Sequence, residues 1–585
     1  MAGDPLKKGR YTEYSNKIGL FDKNNKQFIG NSPEVVLSFP FKDAVLEAGM
    51  TKEDAGREER FLNIKIDTKD IDTLEDPKVL TNFKYIDKDG EKELDENSDI
   101  EFFDENGELK QNLLIKGNNL LALHTLKEKM SGQVKLIYID PPYYFDKTKP
   151  TDAFRYNSNF KLSAWLTFMK NRLEVARDLL KNNGAILVHI GEDGYAYLKL
   201  LMLEIFGKDN FIETFIWKTT DNPDSLSNKS RSSVEYIIAF EKKIDKSAAY
   251  IGRETENGDV PLLNTGNNKK ELIFPKGSIH FNIPDQHIFS GKPDRVEILD
   301  GFDISNGLND REVRLVGEFR WTQNTLNEEI EKGTFFIVKS DKFSIRFQRI
   351  EGSYMAPEKY IDEQYLSKTI GVGTNEDASA HMKKMGIKFT APKPESIVAF
   401  FVKAITNEGD IVLDFFAGSG TTQATALKMR RRFIGIEQMD YIETDTKKRI
   451  KAAIDGEQGE ISPLVNWHGG GSFVYCELKK YNQDFIDRIM EAITIPELEE
   501  IYEDMQKNAF LKFFFDKNEF EKDENFRSKN LDERKQLLVD ILDENQFYLN
   551  LSEMNDAKYK VTDAERVLTE KFYQIKKDEV EDDEE

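Results

Sequence analysis

The residues best suited to chemistry stand in one row: Asp140-Pro141-Pro142-Tyr143. Such a row suits the exocyclic amine of a nucleobase. That amine is a poor nucleophile, because its lone pair is delocalised into the ring. A site that activates it must accept hydrogen bonds from its N–H groups and draw the nitrogen toward tetrahedral geometry. Asp140 offers one acceptor through its side chain, and the backbone carbonyl of Pro141 offers a second. Pro141 and Pro142 fix φ and remove N–H donors that would compete. Tyr143 offers a flat face on which a base can stack. The nitrogen would attack a methyl donor directly, with no covalent intermediate, and preorganised acceptors would meet the developing positive charge.

A second pattern follows much later, Asp414-Phe415-Phe416-Ala417-Gly418-Ser419-Gly420. Gly418 and Gly420 fall between a strand-like run and a helix start, where glycine lets the backbone turn tightly and approach a ligand. Glu437 ends the next apolar run, roughly 20 residues on, where doubly wound nucleotide sites place a carboxylate on ribose hydroxyls. A dinucleotide would use the same geometry. The usual third glycine is absent, however, since Thr421, Thr422 and Gln423 follow. Asp414, Phe416, Gly418, Gly420, Thr421 and Glu437 are therefore the expected cofactor residues. Lys393, just before an apolar helix, is placed to hold the carboxylate of a methionine moiety. A target base inside a duplex must be flipped out at a cost of a few kcal/mol. Tyr143 and Tyr156 would offset that cost by stacking. The six histidines are dispersed, His189 lies within an apolar strand-like run, and no metal site is expected.

The elements that must position these groups can be read from periodicity. Leu113–Ile115 and Val134–Ile139 are strand-like, with a helix at Leu120–Leu126 between them. Asp140 sits at the carboxyl end of the second strand. Leu162, Leu166, Met169, Leu173, Ala176 and Leu180 recur at helical spacing, with Gly184 closing that helix before a strand at 185–190. A helix at 197–206 and a strand at 234–240 follow. The rhythm returns with a helix through Ile397–Ile405, a strand at 410–414, a helix from Thr421 to Met429 and a strand at 433–437. Strands alternating with helices predict an α/β fold on a parallel sheet. Residues 246–385 break the rhythm and read as an insertion. The expected divisions are 1–111, an N-terminal region; 112–245, the catalytic part; 246–385, the insertion; 386–475, the cofactor-binding part; and 476–585, a mostly helical region with an acidic tail.

Bulk properties set limits. The 585 residues suffice for several domains, and 39% hydrophobic residues suffice for a large core. A single cysteine, Cys476, leaves no disulfide framework and no cysteine-built metal site. No signal segment or membrane span is legible, so a soluble, cytoplasmic protein with no membrane partner is expected. The net charge of -23 argues against nucleic acid at first sight. Yet the charge is uneven: Lys332, Lys339, Lys342, Arg346 and Arg349 face only Glu331 and Asp341 within 331–350. A local field can be basic on an acidic chain.

The order and spacing of the two patterns resemble the beta group of amino-methylating DNA methyltransferases. From about residue 60 to about 575 the chain resembles the Mod subunit of bacterial type III restriction–modification systems. Three further stretches carry the resemblance: Phe154-Arg155-Tyr156-Asn157 with Trp165–Met169 and Arg172-Leu173; Gly469–Tyr475; and Phe547–Met554 continuing to Glu570–Tyr573. Asn118 stands where the family often has aspartate, and this likeness places it at the adenosine pocket. Tyr144 stands where the family often has asparagine.

The resemblance implies a Rossmann-like methyltransferase sheet, S-adenosyl-L-methionine as cofactor, and N6-methylation of adenine in a short asymmetric site on one strand of double-stranded DNA. It implies a Mod dimer that lends specificity to a Res helicase–nuclease subunit, with the insertion as target-recognition domain. Rival readings are an N4-cytosine methyltransferase, a non-catalytic DNA-specificity subunit, and an RNA or protein-glutamine methyltransferase. Asp at the first position of the tetrapeptide favours adenine by the same likeness.

Overall fold

A computed structural model describes residues 21–22, 27–28, 76–145, 162–222, 229–254, 259–349, 354–361, 372–508, 530–544 and 548–575. Among the described residues an eleven-stranded sheet forms the largest element. In chain order its strands are β1 Leu80–Asp87, β2 Gly90–Glu93, β3 Leu113–Lys116, β4 Val134–Ile139, β5 Leu180–Ile190, β6 Phe211–Lys218, β7 Val234–Glu241, β8 Tyr360–Ile361, β9 Ile411–Asp414, β10 Arg432–Glu437 and β11 Phe473–Leu478. Across the sheet the order is β8-β6-β7-β5-β4-β9-β10-β3-β11-β1-β2. The six strands from β5 to β11 run parallel, and β7 and β6 extend the sheet antiparallel beyond β5.

The parallel strands are apolar on both faces because helices cover both. In β4 only Lys135 is less than fully buried, and β9 is buried throughout. One helical group is α1 Asn119–Met130, α2 Leu162–Leu179 and α3 Glu192–Phe206. In α2 the buried Trp165, Phe168, Met169, Arg172, Leu173, Ala176 and Leu179 recur every three or four residues, as one inward stripe requires. The other group is α5 Glu395–Ile405, α6 Thr421–Lys428 and α7 Lys447–Ile454. Helix α4, Asn375–Lys384, begins with a capping box in which the Thr374 and Asp377 side chains satisfy two backbone donors.

Several boundaries differ from the periodicity reading. Gly184 does not close α2 but lies inside β5, where a Cβ would come within 2.8 Å of the Val134 carbonyl. Glycine is needed there for close strand approach, which looks like a helix stop in the sequence. Cys476, at the expected start of a helical region, lies within β11, between β3 and β1 in the sheet. Residues 80–93 join the same sheet, since β1 pairs antiparallel with β11. A last helix, α11 Asp563–Tyr573, packs on β1: the Phe572 ring meets Phe102 edge-on, and the Tyr573 hydroxyl donates to the Lys78 carbonyl at 2.8 Å. Helices α8 Gln483–Glu491, α9 Ile495–Asn508 and α10 Leu531–Glu544 share a small apolar core that includes Ile489, Leu498, Met505, Leu538 and Leu542.

The chain divides into two compact units, one of residues 1–248 with 358–585 and one of 249–357. The second has its own core, including Leu272, Phe274, Ile279, Leu315 and Phe336, and its own seven- and three-stranded sheets among the described residues. Residues 372–385 belong to the first unit: Gly373 accepts from Trp217 Nε1 at 3.1 Å and the Asn375 amide donates to the Thr219 carbonyl at 2.9 Å. The basic segment of the second unit is largely paired. Arg349 clamps Glu329 through two 2.8 Å bonds, while Lys339 and Arg346 both meet Asp259. Lys342 is exposed.

Candidate active site

Strands β4 and β9 lie side by side in parallel, with Leu136 opposite Val412 and Ile137 opposite Leu413. From β4 the chain passes through α2 to β5 on one side, and from β9 through α6 to β10 on the other. The crossing direction reverses between them, so a crevice opens beyond their carboxyl ends. The two sequence patterns leave the strands at that point.

The Asp140 tetrapeptide is held from three directions. Trp165, wholly buried on α2, donates through Nε1 to the Pro142 carbonyl at 2.7 Å. The Tyr143 hydroxyl donates to Glu235 Oε2 on β7 at 2.9 Å. Lys393 Nζ lies 2.9 Å from Asp140 Oδ2 and 3.4 Å from Glu235 Oε2. Its ammonium stands 5.3 Å from the centre of the Tyr143 ring. Burial disfavours the Lys393 charge, but Asp140 and then Glu235 outweigh it and raise its pKa. Asp140 Oδ1 is buried and has no hydrogen-bond partner in the structure. Burial drives the Tyr143 pKa well up, aided by the charges of Asp140 and Glu235. His189 bonds the Tyr138 hydroxyl through Nε2, and its Nδ1 is 4.0 Å from Glu235. Burial pushes its pKa down to about 3, so it stays neutral.

The glycine loop uses local geometry. Gly418 and Gly420 have φ of +52° and +79°, in the left-handed region that favours glycine. At Gly420 an added Cβ would also come within 3.1 Å of the Thr446 methyl and 3.2 Å of its carbonyl. Asp414 Oδ1 accepts the Phe416 amide at 2.9 Å. Glu437 Oε2 accepts from Gly418 N at 3.0 Å, and Oε1 from Gln438 N at 2.9 Å and Met439 N at 3.1 Å. The Phe416 ring lies 5.9 Å from Phe168 of α2. Asn119, at the start of α1, donates to the Phe415 carbonyl at 2.8 Å and accepts from buried Arg172 at 2.6 Å.

Burial raises the Asp414 carboxyl from 3.8 to about 7; its Thr422 and Phe416 hydrogen bonds oppose this, and the charges of Asp140 and Glu437 add to it. A carboxyl raised in this way contributes stability that is present in full below its unfolded pKa and is lost as pH rises through the folded one. The window here is about pH 4 to 7. Asp414→Asn keeps the shape and carries no charge. Its Tm should lie nearest wild type at about pH 4 and exceed it at pH 8 in thermal unfolding. An equal difference at both pH values would reject the assignment.

Beneath the loop lies a buried ionic cluster. Lys428 bonds both Glu395 and Glu457. Arg449 meets Glu395 at 3.3 Å and donates to Ser419 Oγ at 3.2 Å and Thr421 Oγ1 at 2.6 Å. Ligand atoms of His381, Glu395 and Glu457 come within 4.8 Å of one another, yet the Lys428 ammonium already bridges the two carboxylates.

The structure thus brings Asp140, Tyr143 and Lys393 together, and Gly418 with Glu437. Other expected residues are otherwise employed. Lys393 holds Asp140, where a methionine carboxylate was expected. Asn118 caps α1 by accepting the Leu120 amide, and its own amide donates to Tyr548. Thr421 is buried, bonded to the Lys393 carbonyl and to Arg449. Tyr156 lies outside the described residues. The sequence reading missed Glu235 and Trp165. A lone carboxylate near the start of the apolar run Val234–Phe240 was the available signal for the first.

The fold and crevice define a Rossmann-like methyltransferase. Residues 134–448 match the family model of N6/N4 DNA methylases. The probable type III restriction–modification enzyme HindVI Mod subunit of Haemophilus influenzae is 32% identical, covering 97% of this chain and 88% of that protein. The EcoPI Mod subunit of Escherichia phage P1 is 27% identical over 57% of this chain and 58% of its own. The EcoP15I Mod subunit of Escherichia coli is 28% identical over 58% and 60%. The chain belongs to the Mod subunits of type III restriction–modification systems. It is a DNA methyltransferase whose cofactor is S-adenosyl-L-methionine. No helix among the described residues is long and apolar enough to cross a membrane.

Proposed function

We propose that the chain methylates N6 of an adenine within a short asymmetric sequence of double-stranded DNA, on one strand. The supporting observation is Asp140, with one oxygen held by Lys393 and the other buried without a partner, at the point where the parallel sheet reverses its crossing direction. In this reading Asp140 and the Pro141 carbonyl accept the amine N–H groups, and Tyr143 stacks on the flipped base. The glycine loop and Glu437 hold the cofactor, which supplies an electrophilic methyl group. Asp414 and Phe416 shape that pocket. Asn118 and Thr421 support it from behind, since both already have internal partners. The chain works as a homodimer in the cytoplasm and lends specificity to a Res helicase–nuclease.

Sequencing methylated DNA from cells that express the chain would report base, motif and strand together. N6-methyladenine at one asymmetric motif is expected, and N4-methylcytosine would overturn the base assignment. Residues 249–357, a unit with its own core, are proposed to read the target. Base contacts specify, whereas phosphate contacts position. Exchanging this unit for that of a related Mod protein should change the motif and keep the adenine product. An unchanged motif would move recognition elsewhere. Arg349, committed to Glu329, is expected to support the unit's fold and not to contact phosphate. Lys342 is the better candidate for a phosphate contact, and neutralising it should lower the salt slope of binding by about one unit.

A further inference from the structure

We propose that Glu235 is a positioning residue for methyl transfer, which acts through Lys393 and Tyr143 to leave Oδ1 of Asp140 as the oxygen presented to the target amine. This rests on the assignment of Asp140 to that amine.

Two groups from separate parts of the chain converge on one oxygen of Glu235. Glu235 Oε2 takes the Tyr143 hydroxyl at 2.9 Å and lies 3.4 Å from Lys393 Nζ. Lys393 in turn bonds Asp140 Oδ2 at 2.9 Å. The ring closes through the chain itself, because Asp140 and Tyr143 are three residues apart. Each member therefore limits the others. Lys393 has a side chain 9% exposed and cannot swing into water. His189 on β5, with Nδ1 4.0 Å from Glu235, is neutral, so it adds no competing positive charge.

The charges explain why a second carboxylate is useful. An ammonium facing Asp140 alone would oppose the positive charge that grows on the amine nitrogen during transfer. With Glu235 on its other side, that ammonium is shared, and Asp140 keeps more of its negative potential for the reacting nitrogen. The ammonium still fixes Oδ2, so the carboxylate need not rotate when substrate enters. Preorganisation of this kind lowers the barrier without strengthening ground-state binding.

The prediction is a split between rate and binding. Glu235→Gln keeps a hydrogen-bond acceptor for Tyr143 and Lys393 and removes only the charge. Its single-turnover rate of methyl transfer should fall about 100-fold, the scale seen when one oriented electrostatic group is removed. Its KM for DNA and its dissociation constant for S-adenosylmethionine should stay within about threefold, because neither is bound through Glu235. Glu235→Asp restores the charge and should recover part of the rate. The wild type and Asp140→Ala are run beside these variants on a duplex carrying the mapped site. If Asp140→Ala transfers methyl normally, the assignment of Asp140 has failed and this proposal fails with it. If Asp140→Ala is dead while Glu235→Gln keeps the wild-type rate, Glu235 is only a structural clip and this proposal alone is overturned. A rate loss in Glu235→Gln matched by an equal rise in KM would likewise overturn it.

Discussion

Asp140→Ala is expected to abolish methyl transfer while the dissociation constant for S-adenosylmethionine stays within a few-fold of wild type. Two losses combine. The amine loses the buried acceptor Oδ1, and Lys393 loses the partner that contributes most to raising its pKa. Removing one preorganised electrostatic group costs about 10²- to 10³-fold in rate. Here the same change also leaves a buried ammonium facing the site, so the combined loss should exceed that range. Cofactor binding is spared because the glycine loop is built from β9, α6 and Glu437 and takes no bond from Asp140. The one expected effect there is electrostatic. Asp140 helps hold the Asp414 carboxyl up, so its removal should lower the Asp414 pKa. Single-turnover transfer and calorimetric titration of the cofactor, on one preparation of the variant, give both numbers. Near-normal turnover would reject the assignment.

The second large effect is expected at Glu437. The sequence suggested only that the carboxylate accepts from ribose hydroxyls. The structure gives the carboxylate three backbone amides as well, those of Gly418, Gln438 and Met439. Glu437→Ala would therefore loosen the glycine turn proposed to meet the cofactor as well as removing a contact. A hydrogen bond to a charged group is worth about 1.5–3 kcal/mol. Loss of the ribose contact alone corresponds to roughly tenfold to hundredfold in affinity. With the Gly418 amide also released, weakening at the upper end of that range is expected, together with a fall in Tm. Glu437→Gln retains one acceptor oxygen and should lie between the two. Burial raises the Glu437 pKa, although the amides of Met439 and Gly418 counteract it. Its ionised form is therefore costly to hold, which is why three donors surround it. An unchanged dissociation constant in a folded Glu437→Ala protein would place the ribose elsewhere.

Much of this site was legible before the fold. The strands that end at Ile139 and Asp414 are short, mostly apolar runs in which half the residues are β-branched. Such runs have the same character wherever they pack. Gly418 and Gly420 were readable because only glycine takes a left-handed φ without cost, and both do. Trp165 stood in a stretch that carries the family resemblance, but nothing in that stretch says that its indole reaches the Pro142 carbonyl. Glu235 carried a weak signal, a charge beside an apolar strand, and such charges are commonly solvated. The end of the insertion was harder. Residues 372–385 are polar and turn-rich like the insertion, yet their backbone bonds run to Thr219 and Trp217 of the first unit.

Local sequence carries the class of chemistry, the order of the two motifs and the parallel sheet that bears them. These depend on local backbone preference and side-chain periodicity, which neighbouring residues specify among themselves. Long-range packing alone set Lys393 against Asp140, Tyr143 against Glu235, and residues 80–93 in the main sheet. Each of these is a pairing between distant segments. The physical reason is burial. An ammonium or carboxylate removed from water must find a partner of opposite charge or a hydrogen-bond donor. Which partner it finds is set by the strands the fold places next to one another.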